Sequence, residues 1–271
     1  MINKVSFIGA GSMAEAIIAG LVNKKFVKSE QIYVSNKENE KRLLEITEKY
    51  GVVGNSNKKV AIADADVVIL ATKPYDMEEA VTEIRDYLRS DQLVISVVAG
   101  ISTTFIQSLI HQDVPIIRSM PNTSATIGYS ATAIAKGKFA TDNHMRIAEQ
   151  LFTAIGTVSI VDEEKMHIVT AISGSGPAYI YYLVEAMEKV ALEEGLDVQT
   201  TKTLISQTVL GAGEMLKYAK GPVATLRENV TSPNGTTAAG ITTLSNYNFK
   251  EAMMECVKSA KNRSIELGEN Q

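Results

Sequence analysis

Cysteine and histidine are scarce in this 271-residue sequence, which contains one cysteine, Cys256, and three histidines. A single cysteine cannot form a disulfide within the chain, which fits a reducing compartment such as the cytoplasm. His111, His144 and His167 are scattered along the sequence, and neither C-x-x-C nor H-x-x-x-H occurs. The sequence therefore predicts no metal site.

Long apolar runs and a strong charge imbalance are also missing. Glycine, proline and charged residues interrupt the apolar segments before they reach the roughly 20 residues of a membrane-spanning helix. The first residues have neither the basic nor the apolar region of a secretory signal, so we expect a cytoplasmic protein. The formal net charge of −4 gives no reason to expect nucleic acid or an anionic membrane as a partner.

The most informative stretch is a glycine-rich sequence that follows an apolar strand predicted at residues 5–8. It reads G-x-G-x-x-A and continues into a helical pattern. Gly9 would permit a tight turn, Gly11 would let a pyrophosphate approach the backbone, and Ala14 would keep the helix close to the strand. An ordinary strand-to-helix turn is the alternative. The predicted dinucleotide site begins with Gly9, Ala10, Gly11, Ser12, Met13 and Ala14.

The end of the second predicted strand, at residues 32–34, bears on the choice of cofactor. Ser35, Asn36 and Lys37 stand where an NAD site usually has an acidic residue that binds the ribose 2′-hydroxyl. Hydroxyl, amide and ammonium donors suit a 2′-phosphate instead, and Arg42 could add positive charge. The sequence thus favours NADPH, with NADH as a weaker alternative. The other interpretation is that Lys37 and Arg42 belong to the solvated face of the next helix.

Strands and helices alternate through the first half of the chain. Further strands are predicted at residues 66–72, 93–98, 114–118, 130–135 and 157–161. This rhythm predicts an α/β fold with a doubly wound parallel sheet, in which ligands bind beyond the carboxyl ends of the strands. The loops at those ends add Ala71, Thr72, Lys73, Pro74, Ala99, Gly100 and residues 120–122 to the candidate cofactor site.

From Glu163 onward the alternation stops and helical patterns take over. Apolar residues at i, i+3, i+4 spacing run along helices predicted at residues 178–194 and 198–217. Such stripes can form a bundle alone or share one with a second copy, and we favour a shared bundle and hence a homodimer. We therefore predict a Rossmann-type dinucleotide-binding domain at 1–162, followed by an all-α helical dimerisation domain at 163–271.

A second chemical signal lies in residues 230–238, which read VTSPNGTTA. Ser232, Thr236 and Thr237 offer hydroxyl groups, and the chain from Gly235 onward offers backbone N–H groups at the start of a predicted helix. A nest of this kind at a helix N-terminus suits a carboxylate. The alternative is an ordinary loop that caps the helix with a serine or threonine.

Six segments together resemble the pyrroline-5-carboxylate reductase family: GAGSMAEAI, LATKP, VVAGIS, VTAISGSGPAYIYYLVEAM, LRENVTSPNGTTAAGI and SAKNRSIELG. The similarity spans essentially the whole chain in the right order. It implies NADPH-dependent reduction of 1-pyrroline-5-carboxylate to L-proline, the last step of proline biosynthesis, by hydride transfer to the imine carbon. It also implies an NADP(H)-binding Rossmann domain, a helical dimerisation domain, and dimers that assemble further, often into decamers.

The resemblance also implies roles for individual residues. Thr237 would hydrogen-bond the imine nitrogen, either as the proton donor or through a relayed water proton. Substrate contacts would come from Ser232, Gly235, Thr236 and Thr237, with Glu163 near the mouth of the site. Further cofactor contacts would come from Asn57 on the adenine side and Asn229 at the nicotinamide end.

Two other functions stay open at this point. A β-hydroxyacid dehydrogenase or imine reductase has a similar shape, but the hydroxyacid enzymes need a lysine after their glycine-rich helix motif, and residues 178–182 contain none. A non-catalytic regulator that senses NADPH would not need the hydroxyl-rich loop. One departure from the family is Asn234, which stands where S-P-G-G-T-T has its first glycine. Because asparagine tolerates positive φ, we expect the turn to survive.

Overall fold

The computed structural model describes residues 2–36 and 39–269, so the predicted cofactor residue Lys37 lies outside the described part. Eight strands form one sheet: β1 Val5–Ile8, β2 Ile32–Ser35, β3 Val53–Gly54, β4 Val67–Leu70, β5 Leu93–Ser96, β6 Ile116–Met120, β7 Ser130–Lys136 and β8 Gly156–Ile160. Their order is β3-β2-β1-β4-β5-β6-β7-β8. The prediction of a doubly wound sheet is confirmed, and the sheet is parallel except at one pair of strands.

One pair departs from the parallel arrangement, because β7 runs antiparallel to β6. The segment between these strands holds only the short helical turn Thr123–Ile127. A parallel crossover needs a dozen or more residues, so a shorter link turns the chain back on itself. The next connection contains a full helix, and β8 is accordingly parallel to β7.

Twelve helices are described: α1 Ser12–Asn23, α2 Glu40–Tyr50, α3 Lys58–Ile62, α4 Met77–Ile84, α5 Thr103–Ile110, α6 Asp142–Thr153, α7 Met166–Val169, α8 Gly176–Glu193, α9 Val198–Tyr218, α10 Val223–Asn229, α11 Thr236–Asn246 and α12 Phe249–Glu269. A π-helical turn, Thr170–Gly174, joins α7 to the segment before α8. Short helical turns occur at Ser29–Gln31, Pro74–Asp76, Arg85–Tyr87 and Glu163–Lys165. Within the described residues, no helix is long and apolar enough to cross a membrane.

Alternate side chains of the central strands build a separate core on each face of the sheet. Phe7 of β1 packs into one core, which also contains Ile17 of α1 and Phe152 of α6. Ile8 packs into the other, together with Val81 of α4. These side chains are at most 1% exposed, and such burial on both faces is typical of parallel sheets.

The order in which strands are added to the sheet reverses between β1 and β4. The chain builds β2 and β3 on one side of β1, and it then crosses to the other side of β1 to add β4 and the later strands. At such a switch point the loops after the two central strands lead to opposite faces and leave a crevice between them. The glycine-rich turn after β1 and the loop after β4 border this crevice.

The chain divides into two compact units. One runs up to Ser175 and takes in the chain from Lys258 onward, and the other is Gly176–Val257. In the second unit Thr201 is the sole buried residue, whereas large side chains such as Tyr182 (77% exposed) and Leu204 (54% exposed) face outward. The helices of this unit therefore leave their apolar faces uncovered in a single chain, as expected of a bundle shared between copies.

Candidate functional site

The glycine-rich turn has a backbone that only glycine adopts easily at its first position. Gly9 has a φ of +113°, and a Cβ there would lie 2.4 Å from the carbonyl oxygen of Ala71 in the loop after β4. Gly11 differs, since a Cβ on it would meet no atom of residues 2–36 and 39–269 within 4 Å. The first glycine thus permits the contact between two loops, whereas the second leaves open space above the backbone.

The start of α1 offers hydrogen-bond donors to that open space. Gly11 is the N-cap, and its lack of a side chain means that no side-chain oxygen caps the helix. The first intrahelical bond is donated by the N–H of Glu15 to the carbonyl of Gly11, at 3.0 Å. The preceding N–H groups of Ser12, Met13 and Ala14 therefore have no partner within the helix, and the helix dipole favours an anion beside them.

A cleft of about 760 Å³ opens at this point. Its lining contains Ile8, Gly9, Ala10, Gly11, Ser12, Glu15, Ser35, Asn36, Asn39, Arg42, Lys58, Ala71, Thr72, Lys73, Asp76, Glu79 and Ala80. Three loops named in the sequence analysis meet here: the glycine-rich turn, the end of β2 and the loop after β4. The volume suits one extended nucleotide-sized ligand.

Some residues that the sequence analysis assigned to the cofactor lie outside this lining, in the described part of the chain. Ala14 is fully buried and packs in the core under α1, whereas the side chain of Asn57 caps α3 by accepting a hydrogen bond from the N–H of Val60 at 3.4 Å. The remaining ones are Met13, Pro74, Ala99, Gly100 and residues 120–122 in the first unit, and Asn229, the last residue of α10, in the second.

Two buried hydroxyl groups in the cleft are left for a ligand. The Oγ of Ser35 and the Oγ1 of Thr72 are buried and have no hydrogen-bond partner among the described residues. Buried hydroxyls normally find a partner, so these two fit the hydroxyl or phosphate oxygens of a bound nucleotide. Together with the open space at Gly11, they make the cleft fit a nicotinamide dinucleotide.

A charged cluster at the edge of the cleft was only partly anticipated from the sequence. Glu15 of α1 forms an ion pair with Arg42 of α2 and accepts hydrogen bonds from the Nζ of Lys49 and the hydroxyl of Tyr50, both at 2.9 Å. The hydrogen bond from Lys49, helped by those from Arg42 and Tyr50, lowers the pKa of Glu15 to about 2 against the effect of burial. Arg42 was a candidate phosphate ligand, whereas nothing in the local pattern pointed to Glu15.

A second polar network lies in the first unit around Glu163. Its carboxylate accepts the backbone N–H of Thr103 at 2.7 Å and the Thr103 hydroxyl at 2.5 Å, and it lies 3.6 Å from the guanidinium of Arg118. Arg118 is 1% exposed, and burial lowers its pKa while Glu163 opposes that shift. The carboxylate of Glu163 is therefore already engaged inside the fold.

The last helix returns to this part of the molecule. Ser264 of α12 is 2% exposed and its Oγ lies 3.0 Å from the Nδ1 of His167. Burial, and next the charge of Arg118, lower the pKa of His167. Further along α12, a Cβ on Gly268 would lie 2.5 Å from the carbonyl oxygen of Gly100, so the helix touches the loop that follows β5.

In the second unit, the hydroxyl-rich loop ends at the start of α11. Gly235 is the N-cap of this helix and donates its N–H to the carbonyl of Ser232 at 3.0 Å. Ser232, Thr236 and Thr237 are exposed, and the two threonines occupy the first turn. Asn234 has a φ of +61°, so asparagine occupies the left-handed region in place of glycine, and the expected turn is present.

Known proteins resemble the chain over nearly its full length. Residues 163–267 match a family model described as pyrroline-5-carboxylate reductase dimerisation, and residues 4–100 match one described as NADP oxidoreductase, coenzyme F420-dependent. Pyrroline-5-carboxylate reductase 1 of Bacillus spizizenii is 46% identical over 98% of this chain and 90% of its own length. The dimerisation match supports a homo-oligomer.

Solved structures agree with these matches. A pyrroline carboxylate reductase from Plasmodium falciparum with NADP bound superposes with a TM-score of 0.90 at 28% identity, covering 98% of both chains. A pyrroline-5-carboxylate reductase from Coxiella burnetii superposes with a TM-score of 0.86 at 34% identity, covering 98% of this chain and 99% of the other. The chain therefore belongs to the pyrroline-5-carboxylate reductase family, a family of NAD(P)H-dependent oxidoreductases.

Proposed function

We propose that this protein reduces 1-pyrroline-5-carboxylate to L-proline with NADPH, the last step of proline biosynthesis. Membership of the family supports the reaction. The observation that carries the cofactor half is the cleft at the switch point, where the open space at Gly11 meets the hydroxyls of Ser35 and Thr72, which have no partner in the described part of the chain. Bound NADPH supplies a hydride to the imine carbon.

The residues of the cleft bind and orient the cofactor. Backbone N–H groups at the start of α1 hold the pyrophosphate, and Ser35, Asn36 and Lys37 meet the 2′-phosphate. The remaining cofactor contacts are assigned to Ala71, Thr72, Lys73, Pro74, Ala99 and Gly100 along the ribose and nicotinamide, to Asn57 near the adenine and to Asn229 at the nicotinamide end. NADH lacks the 2′-phosphate and is the weaker cofactor.

The hydroxyl-rich loop binds the substrate. Ser232, Gly235 and Thr236 hold the carboxylate at the start of α11, where the helix dipole favours an anion. Glu163 is assigned to the mouth of the site. Orientation of the imine carbon at about 3–3.5 Å from the hydride donor supplies most of the acceleration.

Thr237 hydrogen-bonds the imine nitrogen, which is most reactive when it is protonated. A neutral hydroxyl is a weak acid, so a water proton relayed through Thr237 serves this step as well as direct donation. No strong acid is needed, because hydride transfer to a protonated imine leaves a neutral amine. The residue therefore acts mainly by position.

The domain assignment follows from the same proposal. Residues 1–162 bind NADP(H), and residues 163–271 form the dimerisation and substrate-binding domain. Copies of the chain share the helical bundle as a homodimer, and dimers assemble further, up to a decamer. We assign the enzyme to the cytoplasm, with no nucleic acid or membrane partner.

The first experiment follows NADPH oxidation by the purified protein with 1-pyrroline-5-carboxylate, with NADH in a parallel assay. The turnover rate of the Thr237→Ala enzyme should fall by about ten-fold or more, while the enzyme still binds NADPH. Thr242→Ala, on the same helix, is the control and should behave as wild type. Proline as product supports the proposal. If the folded protein binds NADPH but does not oxidise it when 1-pyrroline-5-carboxylate is supplied, the substrate assignment is wrong. If the turnover of Thr237→Ala is unchanged, this residue does not belong to the site.

A further inference from the structure

The guanidinium of Arg42 is fixed on several sides at the edge of the cofactor cleft. Its Nε donates to the carbonyl oxygen of Ala10 in the glycine-rich turn at 3.1 Å, its Nη2 pairs with Glu15, and its Nη1 lies 3.3 Å from Glu45. The side chain is 27% exposed and lines the cleft beside Ser35. Each of its three nitrogens thus already serves a protein acceptor.

Glu15 is the centre of this arrangement. The carboxylate also holds Lys49 and Tyr50, at the far end of α2, so it ties the first turn of α1 to both ends of the neighbouring helix. Its pKa of about 2 means that it stays ionised at any pH at which the enzyme would be assayed. Glu15 therefore remains a charged partner of Arg42 under working conditions.

An arginine held in this way is poorly suited to a phosphate. Phosphate recognition uses adjacent N–H groups of the guanidinium edge, often as a two-bond fork. Here two of the acceptors on that edge, Glu15 and Glu45, are carboxylates that would repel a phosphate placed beside them. Three of the five guanidinium N–H groups are donated, and the other two are on the same nitrogens that meet Glu15 and Glu45. The flat face takes no part in these bonds, and a guanidinium face attracts an aromatic ring.

We propose that Arg42 supports the adenine ring of the cofactor by its face, and that Glu15 withholds the guanidinium edge from the 2′-phosphate. Glu15 is then a specificity-determining residue that acts through Arg42, and 2′-phosphate recognition falls to the residues at the end of β2. The inference rests on the proposed binding of NADPH in this cleft. It predicts different effects for substitutions at the two ends of one ion pair: weaker binding of both cofactors for Arg42, and a changed preference between them for Glu15.

The first test removes the flat guanidinium face of Arg42. The dissociation constants of NADPH and NADH are measured by calorimetry, without substrate, for wild type and for Arg42→Lys, which keeps the positive charge but has no flat guanidinium face. Because adenine is common to both cofactors, we expect both to bind about five- to ten-fold more weakly, with their affinity ratio unchanged within about two-fold. A loss confined to NADPH would mean that Arg42 binds the 2′-phosphate, and unchanged affinities would mean that it does not touch the cofactor; either result overturns the proposal.

The second test frees the guanidinium edge of Arg42 from the carboxylate of Glu15. Glu15→Gln removes the carboxylate, and we expect the preference for NADPH over NADH to rise by about three-fold or more, because Arg42 and the local positive potential become available to the 2′-phosphate. The control is Glu48→Gln, an exposed position on α2, the helix that carries Arg42. It makes the same charge change and should leave the NADPH/NADH affinity ratio unaltered. A ratio that is unchanged or lower in Glu15→Gln, or raised equally by Glu48→Gln, overturns the role of Glu15.

Direct binding separates this inference from the proposed reaction. If the wild-type protein binds both cofactors but reduces no imine, the reaction fails while the two affinity ratios still decide the roles of Glu15 and Arg42. If it binds neither cofactor, both proposals fail. Thermal melting of each variant without nucleotide shows whether the variant folds. The two substitutions lie on different helices. The variant at position 42 can therefore refute the role of Arg42 by itself, and the variant at position 15 can refute the role of Glu15 by itself.

Discussion

Replacing Glu163 by glutamine separates two roles that its carboxylate can have. The family resemblance puts this residue near the substrate, whereas in the structure the carboxylate bonds Thr103 and faces Arg118 at 3.6 Å. Glutamine preserves the shape and one acceptor oxygen but removes the charge. If the carboxylate chiefly anchors the fold, stability should fall; if it chiefly binds substrate, the KM for the imine should rise and stability should not change.

The size of the stability loss follows from the burial of Arg118. This guanidinium is 1% exposed, and its Nε and Nη2 have no hydrogen-bond partner in the described part of the chain. Removing one partner of a buried ion pair costs about 3–5 kcal/mol, because the other charge stays buried and uncompensated. Since Glu163 is itself 24% exposed, we expect about 2–4 kcal/mol. In a protein of this size that lowers the melting temperature by about 4–16 °C.

The assay is thermal unfolding followed by circular dichroism, at one protein concentration and without cofactor, because oligomerisation and ligands shift the midpoint. Glu164→Gln is the matched control, since it makes the same charge change at the adjacent, exposed position. A Glu163→Gln protein that melts within about 2 °C of wild type while its KM for the imine rises would refute the anchoring role and favour the substrate contact.

Three further predictions concern two glycine contacts and the half-buried His167. Gly9→Ala should cost about 2–4 kcal/mol of stability and weaken NADPH binding, because its Cβ would lie 2.4 Å from the Ala71 carbonyl at a φ of +113°; wild-type behaviour in urea unfolding and calorimetry would contradict this. Gly268→Ala would press a Cβ against the Gly100 carbonyl and should lower kcat about three-fold or more, and an unchanged kcat would show that this loop does not position the cofactor. Burial lowers the pKa of His167 below its unfolded value of about 6.5, so its contribution to stability is present above that pH and is lost as the pH falls. His167→Gln should therefore flatten the decline in melting temperature between about pH 7 and pH 5, and an unaltered slope would exclude this residue as its cause.

Local patterns predicted most of the fold. The apolar run at β1 and the alternation of strands with amphipathic helices indicated a doubly wound sheet, and the structure confirms it. The family resemblance, carried mainly by the motifs of the second half, is confirmed as well. Gly51 has a φ of +69° at the end of α2, and Asn234 has a φ of +61° before α11, where the residue types favoured those conformations. The conformations at Gly51 and Asn234 depend on residues within about one turn of each other, and the other features depend on the order of short local patterns.

Contacts between distant segments could not be predicted from the sequence. β7 runs antiparallel because its link to β6 is short, whereas the pattern alone indicated only another strand. Glu15 has partners 27 to 35 positions away, and Glu163 bonds Thr103 at a separation of 60. No periodicity shows which side chains meet across two elements, so the sequence contained no indication of these contacts.

The sequence by itself determined the order and type of the elements, the glycine-rich turn, the hydroxyl-rich loop and the family, because each is encoded in neighbouring residues or in motif order. Only the tertiary structure decided that the guanidinium of Arg42 is held by Glu15 and that the carboxylate of Glu163 is turned toward Arg118. It also brought α12 back against the loop at Gly100. The physical reason is that ion pairing and close backbone approach depend on distances in space, which strand order and helix orientation set after the local conformations have formed.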